Sequence, residues 1–250
     1  MNLNKQQSKI VLSEGNISVL ATAGAGKTRV LIAKVLHLLN QGISLITLVT
    51  FTKASAVEIE ERLIKHLGGL PKGLVVGTFH SIISKHISRH SKIGLMSSDE
   101  QVSLLHQHYT RHFSAHDGYD DFFAYFEKKI NGSLSETIEE YDTVLNAYYD
   151  NMSVKTAGLI DLISMGQTMI QERQIPLLPT EWLLVDEYQD TDLEQLKFVL
   201  IHGLSCVKLL LVGDPNQAIY GFRNALGEKA FTLMQENIDI QNIPLNTNYR

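Results

Sequence analysis

The chain has 250 residues, of which 44% are hydrophobic and 20% are charged, and its formal net charge at pH 7 is −5. This ordinary balance, without an uninterrupted apolar run of membrane-spanning length, excludes a disordered, collagen-like or integral-membrane protein. The single cysteine, Cys206, cannot form an internal disulfide, and the N-terminus lacks the basic-then-apolar layout of a signal peptide. We therefore expect a cytoplasmic protein that does not contact a membrane.

The charges are unevenly distributed along the chain. Residues 1–85 hold ten basic and four acidic side chains, residues 86–175 hold seven and thirteen, and residues 176–250 hold five and ten. Because polyanions are bound mainly by neutralising their phosphates, we expect any nucleic acid to contact the first of these segments.

Short apolar runs alternate with amphipathic helical patterns in the first third of the chain, and apolar runs return later. The alternation of strands and helices predicts an α/β fold, with a parallel sheet that carries helices on both faces. The predicted strands are residues 16–22, 45–51, 74–78, 181–185 and 207–212, and the predicted helices between the first three are residues 26–39 and 54–67.

The middle of the chain has a different character. Residues 86–175 contain no apolar strand run, and Gly, Asn and Ser separate the helical patterns. We therefore predict a core formed by residues 1–85 and 176–250, interrupted by an all-helical insertion subdomain at 86–175. The predicted helices of the insertion are residues 99–116, 120–129, 134–149 and 156–173.

A glycine-rich loop, residues 21–28 (ATAGAGKT), follows the first predicted strand and opens the first predicted helix. Gly24 and Gly26 permit a tight turn, so that backbone N–H groups face an anion at the positive end of the helix. Lys27 is placed for the β- and γ-phosphates of a nucleotide, and the Thr28 hydroxyl for a magnesium ion. The alternative, a turn that merely joins a strand to a helix, is disfavoured by this context.

Two carboxylates, Asp186 and Glu187, come directly after the fourth predicted strand. This places them at the carboxyl edge of the sheet, where parallel sheets bind their ligands. Asp186 is expected to hold magnesium, and Glu187 to orient and deprotonate the attacking water. An acidic pair alone is often a solvated loop, but together with the glycine loop it indicates a nucleoside-triphosphate hydrolase.

The order of several short motifs resembles the UvrD/Rep/PcrA group of superfamily 1 DNA helicases. The resemblance implies a RecA-like P-loop NTPase core and extends over most of the chain, apart from the insertion. The motifs are LNKQQ at residues 3–7, TFT at 50–52, GTFHS at 77–81, DEYQD at 186–190, VGDPNQAIYGFR at 212–223 and LNTNYR at 245–250.

The resemblance implies a set of ATP contacts. Gln7 corresponds to the glutamine that reads the adenine edge, and Arg29 and Tyr249 to residues that flank the base. Gln217 is similar to a γ-phosphate sensor, and Arg250 to an arginine that stabilises charge during hydrolysis. The phosphate-binding residues implied by the same motif are Ala23, Gly24, Ala25, Gly26, Lys27 and Thr28.

The resemblance also implies a path for single-stranded DNA. Phe51, Tyr220 and Phe222 are similar to base-stacking residues, whereas each aromatic taken singly is more often part of a core. The residues similar to strand-contacting or coupling positions are Thr52, Thr78, His80 and Arg223. The sequence departs from the family at Lys53-Ala54-Ser55-Ala56, where Asn-Lys-Ala-Ala is common, and at residues 158–162, which lack its usual Asp-Phe pair.

The sequence-based hypothesis is therefore the ATP-binding part of a DNA helicase or translocase that uses Mg²⁺. The resemblance suggests 3′ to 5′ movement on single-stranded DNA, action at junctions of single and double strands, and a partner nuclease or repair protein. It also implies a second RecA-like domain, which residues 1–250 do not contain. We therefore expect this chain alone to be weakly active or inactive as an ATPase and not to unwind DNA. Two alternatives are an ATP-dependent switch that senses DNA or recruits a nuclease, and a small-molecule kinase; the kinase leaves the DEYQD motif unexplained.

Histidines are concentrated at the start of the insertion. His108, His112 and His116 recur at four-residue spacing, which places them on one helical face. Such spacing can hold zinc, but the polar neighbours and the lack of a nearby cysteine favour a solvated face.

Overall fold

The computed structural model describes residues 2–114, 117–130, 132, 134–151, 156–158, 160–217 and 225–247. The chain divides into two compact units, of which the first is Met1–Ile82 with Leu177–Arg250 and the second is Ile83–Pro176. In the described residues the strands are β1 (Ile17–Ala21), β2 (Ile46–Thr50), β3 (Leu74–Thr78), β4 (Gly94–Met96), β5 (Thr156–Gly158), β6 (Trp182–Val185), β7 (Lys208–Gly213) and β8 (Gln241–Leu245).

The helices of the described residues connect these strands. They are α1 (Lys5–Leu12), α2 (Lys27–Asn40), α3 (Lys53–Leu67), α4 (Phe79–His90), α5 (Ser98–Phe113), α6 (Tyr119–Ile130), α7 (Glu139–Asn151), α8 (Leu162–Gln171), α9 (Leu193–Leu204) and α10 (Glu228–Asn237). None of the helices in the described ranges is long and apolar enough to cross a membrane.

The first unit is built on a six-stranded sheet in the order β3-β2-β6-β7-β1-β8, and every neighbouring pair is parallel. Parallel strands with helices between and around them are the predicted α/β RecA-like architecture. Five strands lie within one residue of their predicted bounds at each end. The carboxyl ends of all six strands consequently meet at one edge of the sheet.

The edge strand β8 is missing from the sequence prediction. Its sequence, QNIPL, has no apolar run and contains Pro244, which argues against an interior strand. Among the described strands, β8 pairs with β1 alone, so that the missing N–H of Pro244 is tolerated at an edge.

The core of the first unit explains why its strands read as continuous apolar runs. Strands β2 and β6 are buried along their whole length, because helices cover the sheet. Alternate strand residues pack against apolar residues of α1, α2 and α3; the strand residues include Val19, Leu48, Trp182, Leu184, Leu210 and Val212.

A buried lysine of α2 contacts both the end of α1 and the sheet. Lys34 of α2 is fully buried, and its ammonium donates hydrogen bonds to the carbonyls of Val11 and Ser13 at the end of α1. The same ammonium lies 4.1 Å from the ring centroid of Trp182, a cation–π distance. Burial lowers the pKa of Lys34 to about 8, partly offset by Glu14.

The second unit is mostly helical, but it is not all-helical as predicted. Strands β4 and β5 form a two-stranded parallel sheet, and the helix predicted from residue 156 begins only at Leu162. Each of these strands is three residues long, too short to produce a periodicity in the sequence. The aromatic-rich core of this unit comprises Leu105, Tyr109, Phe122, Tyr125, Phe126, Val144, Leu145 and Tyr148.

The histidine face favoured by the sequence is only partly solvated. His108 is buried, and its ring packs edge-on against Tyr148 with centroids 6.0 Å apart. The prediction of a solvated face was therefore wrong at this position, because α5 turns His108 toward α7. His116 lies outside the described residues.

Candidate nucleotide site

The loops that follow the strands bring the predicted site residues to one edge of the first unit. The glycine loop follows β1, Asp186 and Glu187 follow β6, and Asp214 follows β7. In the strand order, β7 lies between β6 and β1. The turn after β7 is therefore placed between the two carboxylates and the glycine loop.

The glycine loop has the conformation of an anion-binding loop. Gly24 and Gly26 have φ angles of 73° and 84°, a region that glycine adopts without strain. Helix α2 begins directly after Gly26, at Lys27, so that the loop N–H groups lie at the positive end of the helix. The Thr22 N–H donates to the Leu245 carbonyl of β8 at 3.0 Å, which anchors the start of the loop.

The neighbouring loop residues differ in exposure. Ala23 is exposed and Ala25 is fully buried, whereas Thr28, in the first turn of α2, is half-buried. The first turn of this helix has no acidic residue, so its N-terminal charge is not compensated from within the helix.

Lys27 and Glu187 form an ion pair across this edge. The Lys27 side chain is 13% exposed and that of Glu187 is 35% exposed, so that the pair is partly screened by water. Glu187 has a φ angle of 49°, which is uncommon for a residue with a side chain. The turn after β6 therefore holds Glu187 in a strained conformation.

Asp186 is buried beside this pair. Its Oδ1 accepts a hydrogen bond from the Glu187 N–H at 3.0 Å, and its own N–H donates to the Val49 carbonyl of β2. Burial, and next the charge of Glu187, raise the pKa of Asp186 to about 7, although the charge of Lys27 opposes the rise. A buried carboxylate of this kind is costly to ionise unless a cation joins it.

A third carboxylate, Asp190, lies near the same pair. Burial and the charge of Glu187 raise its pKa to about 6, and its Oδ1 has no hydrogen-bond partner among the described residues. The charge of Lys27 opposes the rise in the pKa of both Asp186 and Asp190. Among the described residues, three carboxyl groups thus lie near this one ammonium, an arrangement that favours a cation.

A glutamine that sequence analysis did not select, Gln189, connects this cluster to the turn after β7. Its Nε2 donates to Glu187 Oε2 at 3.0 Å, and its Oε1 accepts from the Asp214 N–H at 2.9 Å. Asp214 Oδ2 in turn accepts from Gln217 Nε2 at 2.6 Å. The sequence carries no signal for this bridge, because Asp214 is 25 residues from Gln189 along the chain.

Two of the residues predicted to contact the base, Gln7 and Arg29, are described by the structure. Both side chains form hydrogen bonds with main-chain groups of the protein itself. Gln7 is fully buried, its Oε1 accepts from the Asn4 N–H at 3.1 Å, and its Nε2 donates to the Ala25 carbonyl at 3.3 Å. Arg29 donates to the Asn2 carbonyl at 2.6 Å. Pairing of Gln7 with an adenine would have to displace these bonds, and its role stays a prediction.

The residues expected to contact DNA emerge beside one another at the far end of the same edge. Thr50 and Thr78 are register partners in β2 and β3. Half-buried Phe51 and exposed Thr52 therefore leave β2 next to half-buried Thr78, the last residue of β3, and exposed His80, which follows it. Thr52 caps α3 by accepting the Ser55 N–H at 3.1 Å. Their contact with DNA stays a prediction from the sequence.

Five predicted site residues lie outside the described residues. They are Tyr220, Phe222, Arg223, Tyr249 and Arg250. Their roles stay predictions from the sequence.

A parallel α/β sheet with a glycine loop, a helix-terminal lysine and a strand-end carboxylate pair defines the class of P-loop nucleoside triphosphatases. Within that class, the chain matches the UvrD/REP helicase N-terminal domain over residues 3–143 and 127–238. The chain therefore belongs to the UvrD/REP helicase N-terminal domain family, as the order of its motifs predicts.

Curated relatives agree with this family. The chain is 29% identical over 298 residues to the ATP-dependent DNA helicase Rep of Buchnera aphidicola subsp. Schizaphis graminum, a match that covers 100% of this chain and 42% of the relative. It is 29% identical over 282 residues to DNA helicase II of Haemophilus influenzae (99% and 38%), and 28% identical over 285 residues to Rep of Escherichia coli K12 (100% and 41%). The chain thus spans about two fifths of the length of these relatives.

The buried carboxylate predicts a pH-dependent stability difference between the wild type and Asp186→Asn. Folding raises the pKa of Asp186 from 3.8 to about 7, so between these pH values the folded state holds a proton that the unfolded state has lost. The free energy of unfolding of the wild type therefore falls as pH rises through this window. Asparagine does not titrate, so the stability of Asp186→Asn relative to wild type should rise by about 1 kcal/mol per pH unit.

Urea unfolding at several pH values between 4 and 8 measures this difference. Exposed Asp239→Asn is the matched control and should show no such trend. A pH-independent difference for Asp186→Asn would contradict the assigned burial of this charge.

Proposed function

We propose that this chain is the ATP-binding and ATP-hydrolysing part of a DNA helicase or translocase that moves 3′ to 5′ on single-stranded DNA. The observation that carries the proposal is the Lys27–Glu187 ion pair, because it joins the glycine loop to the carboxylates after β6. Membership of the UvrD/REP helicase N-terminal domain family supports it. So do the relatives named ATP-dependent DNA helicase Rep.

The phosphates of ATP would bind at the glycine loop. Backbone N–H groups at the start of α2 provide donors at the positive end of a helix, and the Lys27 ammonium lies beside them. Lys27 must leave Glu187 to reach the phosphates, so that nucleotide binding and opening of the ion pair are coupled.

The donors available near the loop fit a magnesium ion. Mg²⁺ prefers oxygen ligands, and Asp186 and Thr28 supply a carboxylate and a hydroxyl. Asp186 is buried with a pKa of about 7, the behaviour expected of a carboxylate that lacks a compensating cation. When bound, the ion would neutralise charge on the phosphates.

Glu187 would act on the attacking water. Its carboxylate is 35% exposed at the edge of the sheet, so that water can reach it. Once Lys27 has turned to the phosphates, the carboxylate is free to accept a proton from water. Gln217, at the end of the turn after β7, is exposed and would face the nucleotide as a sensor of the γ-phosphate.

We further propose that residues 1–85 and 176–250 form the ATP-binding core and that residues 86–175 form an insertion. The compact units, which divide after residues 82 and 176, support this division. The relatives are more than twice as long as the match, which supports a second RecA-like domain as the partner that completes the ATP site.

Single-stranded DNA is proposed to pass over the ends of β2 and β3. Phe51 provides an aromatic face for a base, while Thr52 and His80 are exposed beside it. The surplus of basic side chains in residues 1–85 would attract the DNA backbone. Junctions with duplex DNA and a nuclease or repair protein are the partners proposed for the whole protein.

Removal of the Lys27 ammonium should abolish most of the binding of MgATP. We expect Lys27→Ala to weaken binding at least tenfold, because hydrogen bonds to charged groups contribute about 1.5 to 3 kcal/mol. Isothermal titration calorimetry measures the change, and Lys65→Ala, which removes an exposed lysine of α3, is the control. Equal affinities of Lys27→Ala and wild type would contradict the phosphate site.

Neutralising Glu187 should separate binding from hydrolysis. Glu187→Gln removes the partner that holds Lys27 away from the phosphates, so that MgATP should bind as well as to the wild type or better. Single-turnover hydrolysis should fall by about 10² to 10⁴, the usual contribution of a general base. Exposed Glu236→Gln serves as the control, and unchanged hydrolysis in Glu187→Gln would exclude Glu187 as the base.

Truncation of Phe51 should test the DNA path. If Phe51 stacks on a base, Phe51→Ala should weaken binding of a fluorescent oligo(dT) by about 1 to 3 kcal/mol, while MgATP affinity is retained. Phe123→Ala removes a half-buried aromatic of the second unit and should leave DNA affinity unchanged. A lower melting temperature with unchanged DNA affinity would instead assign Phe51 to the core.

A further inference from the structure

Gln189 is a buried polar residue whose side chain contacts two separate parts of the nucleotide site. It lies in a short 3-10 helix (Tyr188–Asp190) between β6 and α9 and is 2% exposed. Buried amides are costly unless they are hydrogen-bonded. The partners of this amide therefore indicate what it holds in place.

The hydrogen bonds determine which way the Gln189 amide points. The Asp214 main-chain N–H can only donate, so the group that faces it at 2.9 Å must be the oxygen, Oε1. The Nε2 group is consequently directed at two carboxylates, Glu187 Oε2 at 3.0 Å and Asp190 Oδ2 at 3.3 Å.

The surroundings of Gln189 leave it little freedom. A Cβ at Gly213 would lie 2.5 Å from Gln189 Oε1, so that only glycine permits this approach. The Gln189 carbonyl accepts the Gly227 N–H at 3.0 Å, just before α10 begins. Main chain and side chain are therefore both fixed.

Asp214 extends the chain of contacts to the turn after β7. Asp214 is buried, with Oδ1 accepting the Asn216 N–H at 3.1 Å and Oδ2 accepting Gln217 Nε2 at 2.6 Å. A continuous series of hydrogen bonds thus runs from Gln217 through Asp214 and Gln189 to Glu187.

We propose that Gln189 is a positioning residue that fixes the Glu187 carboxylate and couples its placement to the Asp214–Gln217 turn. The inference rests on the proposed function, in which Glu187 activates water and Gln217 senses the nucleotide. A displacement of Gln217 moves Asp214, and the Gln189 amide transmits that movement to the oxygen of Glu187 that it holds.

Two substitutions at Gln189 separate its contacts. Gln189→Met has a similar length but removes all three side-chain hydrogen bonds. Gln189→Glu keeps an oxygen for the Asp214 N–H and replaces the donor that faces Glu187. The matched control is Gln195→Met, which removes another buried glutamine of the first unit, in the first turn of α9. Single-turnover hydrolysis with the 250-residue chain in excess over ATP measures slow rates, and calorimetry measures MgATP affinity.

Both Gln189 variants should lower the maximal hydrolysis rate by on the order of tenfold to a hundredfold, the scale of a small misplacement of a catalytic group, without a change in MgATP affinity. Gln195→Met should retain the wild-type rate, even where it lowers the melting temperature. In the Gln189→Met background, Gln217→Ala should cost less activity than it does in the wild type, because the coupling is already broken.

The outcomes distinguish the inference from the proposed function. The inference alone is overturned by any one of three results. These are a wild-type rate in Gln189→Met, equal losses in Gln189→Met and Gln195→Met, or additive effects of Gln189→Met and Gln217→Ala. Absence of both MgATP binding and MgATP hydrolysis by the wild-type chain overturns the proposed function and the inference together. Binding without any hydrolysis overturns the inference alone, because the inference requires that this chain positions its own base.

Discussion

All six strands of the first unit run parallel, and the site depends on this constraint. Because every strand ends at the same edge, three loops that are far apart in sequence meet there: the glycine loop, the carboxylate turn after β6 and the Asp214 turn after β7. The strand order places β7 between β6 and β1. The Asp214 turn can therefore contact the carboxylate turn through a single side chain, that of Gln189.

The burial of the sheet strands also affects the pKa of a carboxyl group at the edge of the sheet. Asp186 emerges from a strand that is buried along its whole length, and this burial raises the pKa of its carboxyl group. The chain thus carries a carboxylate whose ionisation costs stability in the absence of a cation. Glu187, one residue further, is more exposed and is paired with Lys27, so that two adjacent carboxylates have different environments. Adjacent carboxylates with different environments suit different roles, one at a metal ion and one at water.

Sequence patterns predicted the strands whose own composition and whose place in the sheet favour the same structure. Long apolar runs identified β2, β6 and β7, because strands covered on both faces have no polar alternation. The edge strand β8 and the three-residue strands β4 and β5 were missed, since they depend on pairing with distant strands rather than on their own composition. Motif analysis selected Lys27 and Glu187 singly but did not predict their ion pair. It missed the role of Gln189, because its partner Asp214 lies 25 residues away along the chain.

The contacts of Glu187 differ in how they respond to a nucleotide under the proposed function. Its Oε2 accepts hydrogen bonds from the Lys27 ammonium and from the Gln189 amide. Phosphates compete for the ammonium because it is charged, whereas the Gln189 amide is a neutral and weaker donor. The bond between its oxygen and the Asp214 N–H keeps the amide directed at the carboxylate. When Lys27 moves to the phosphates, Gln189 remains as the donor that holds the carboxylate. Under the proposed function, binding of ATP therefore draws the Lys27 ammonium away from Glu187. The hydrogen bond from the neutral Gln189 amide keeps the Glu187 carboxylate in position.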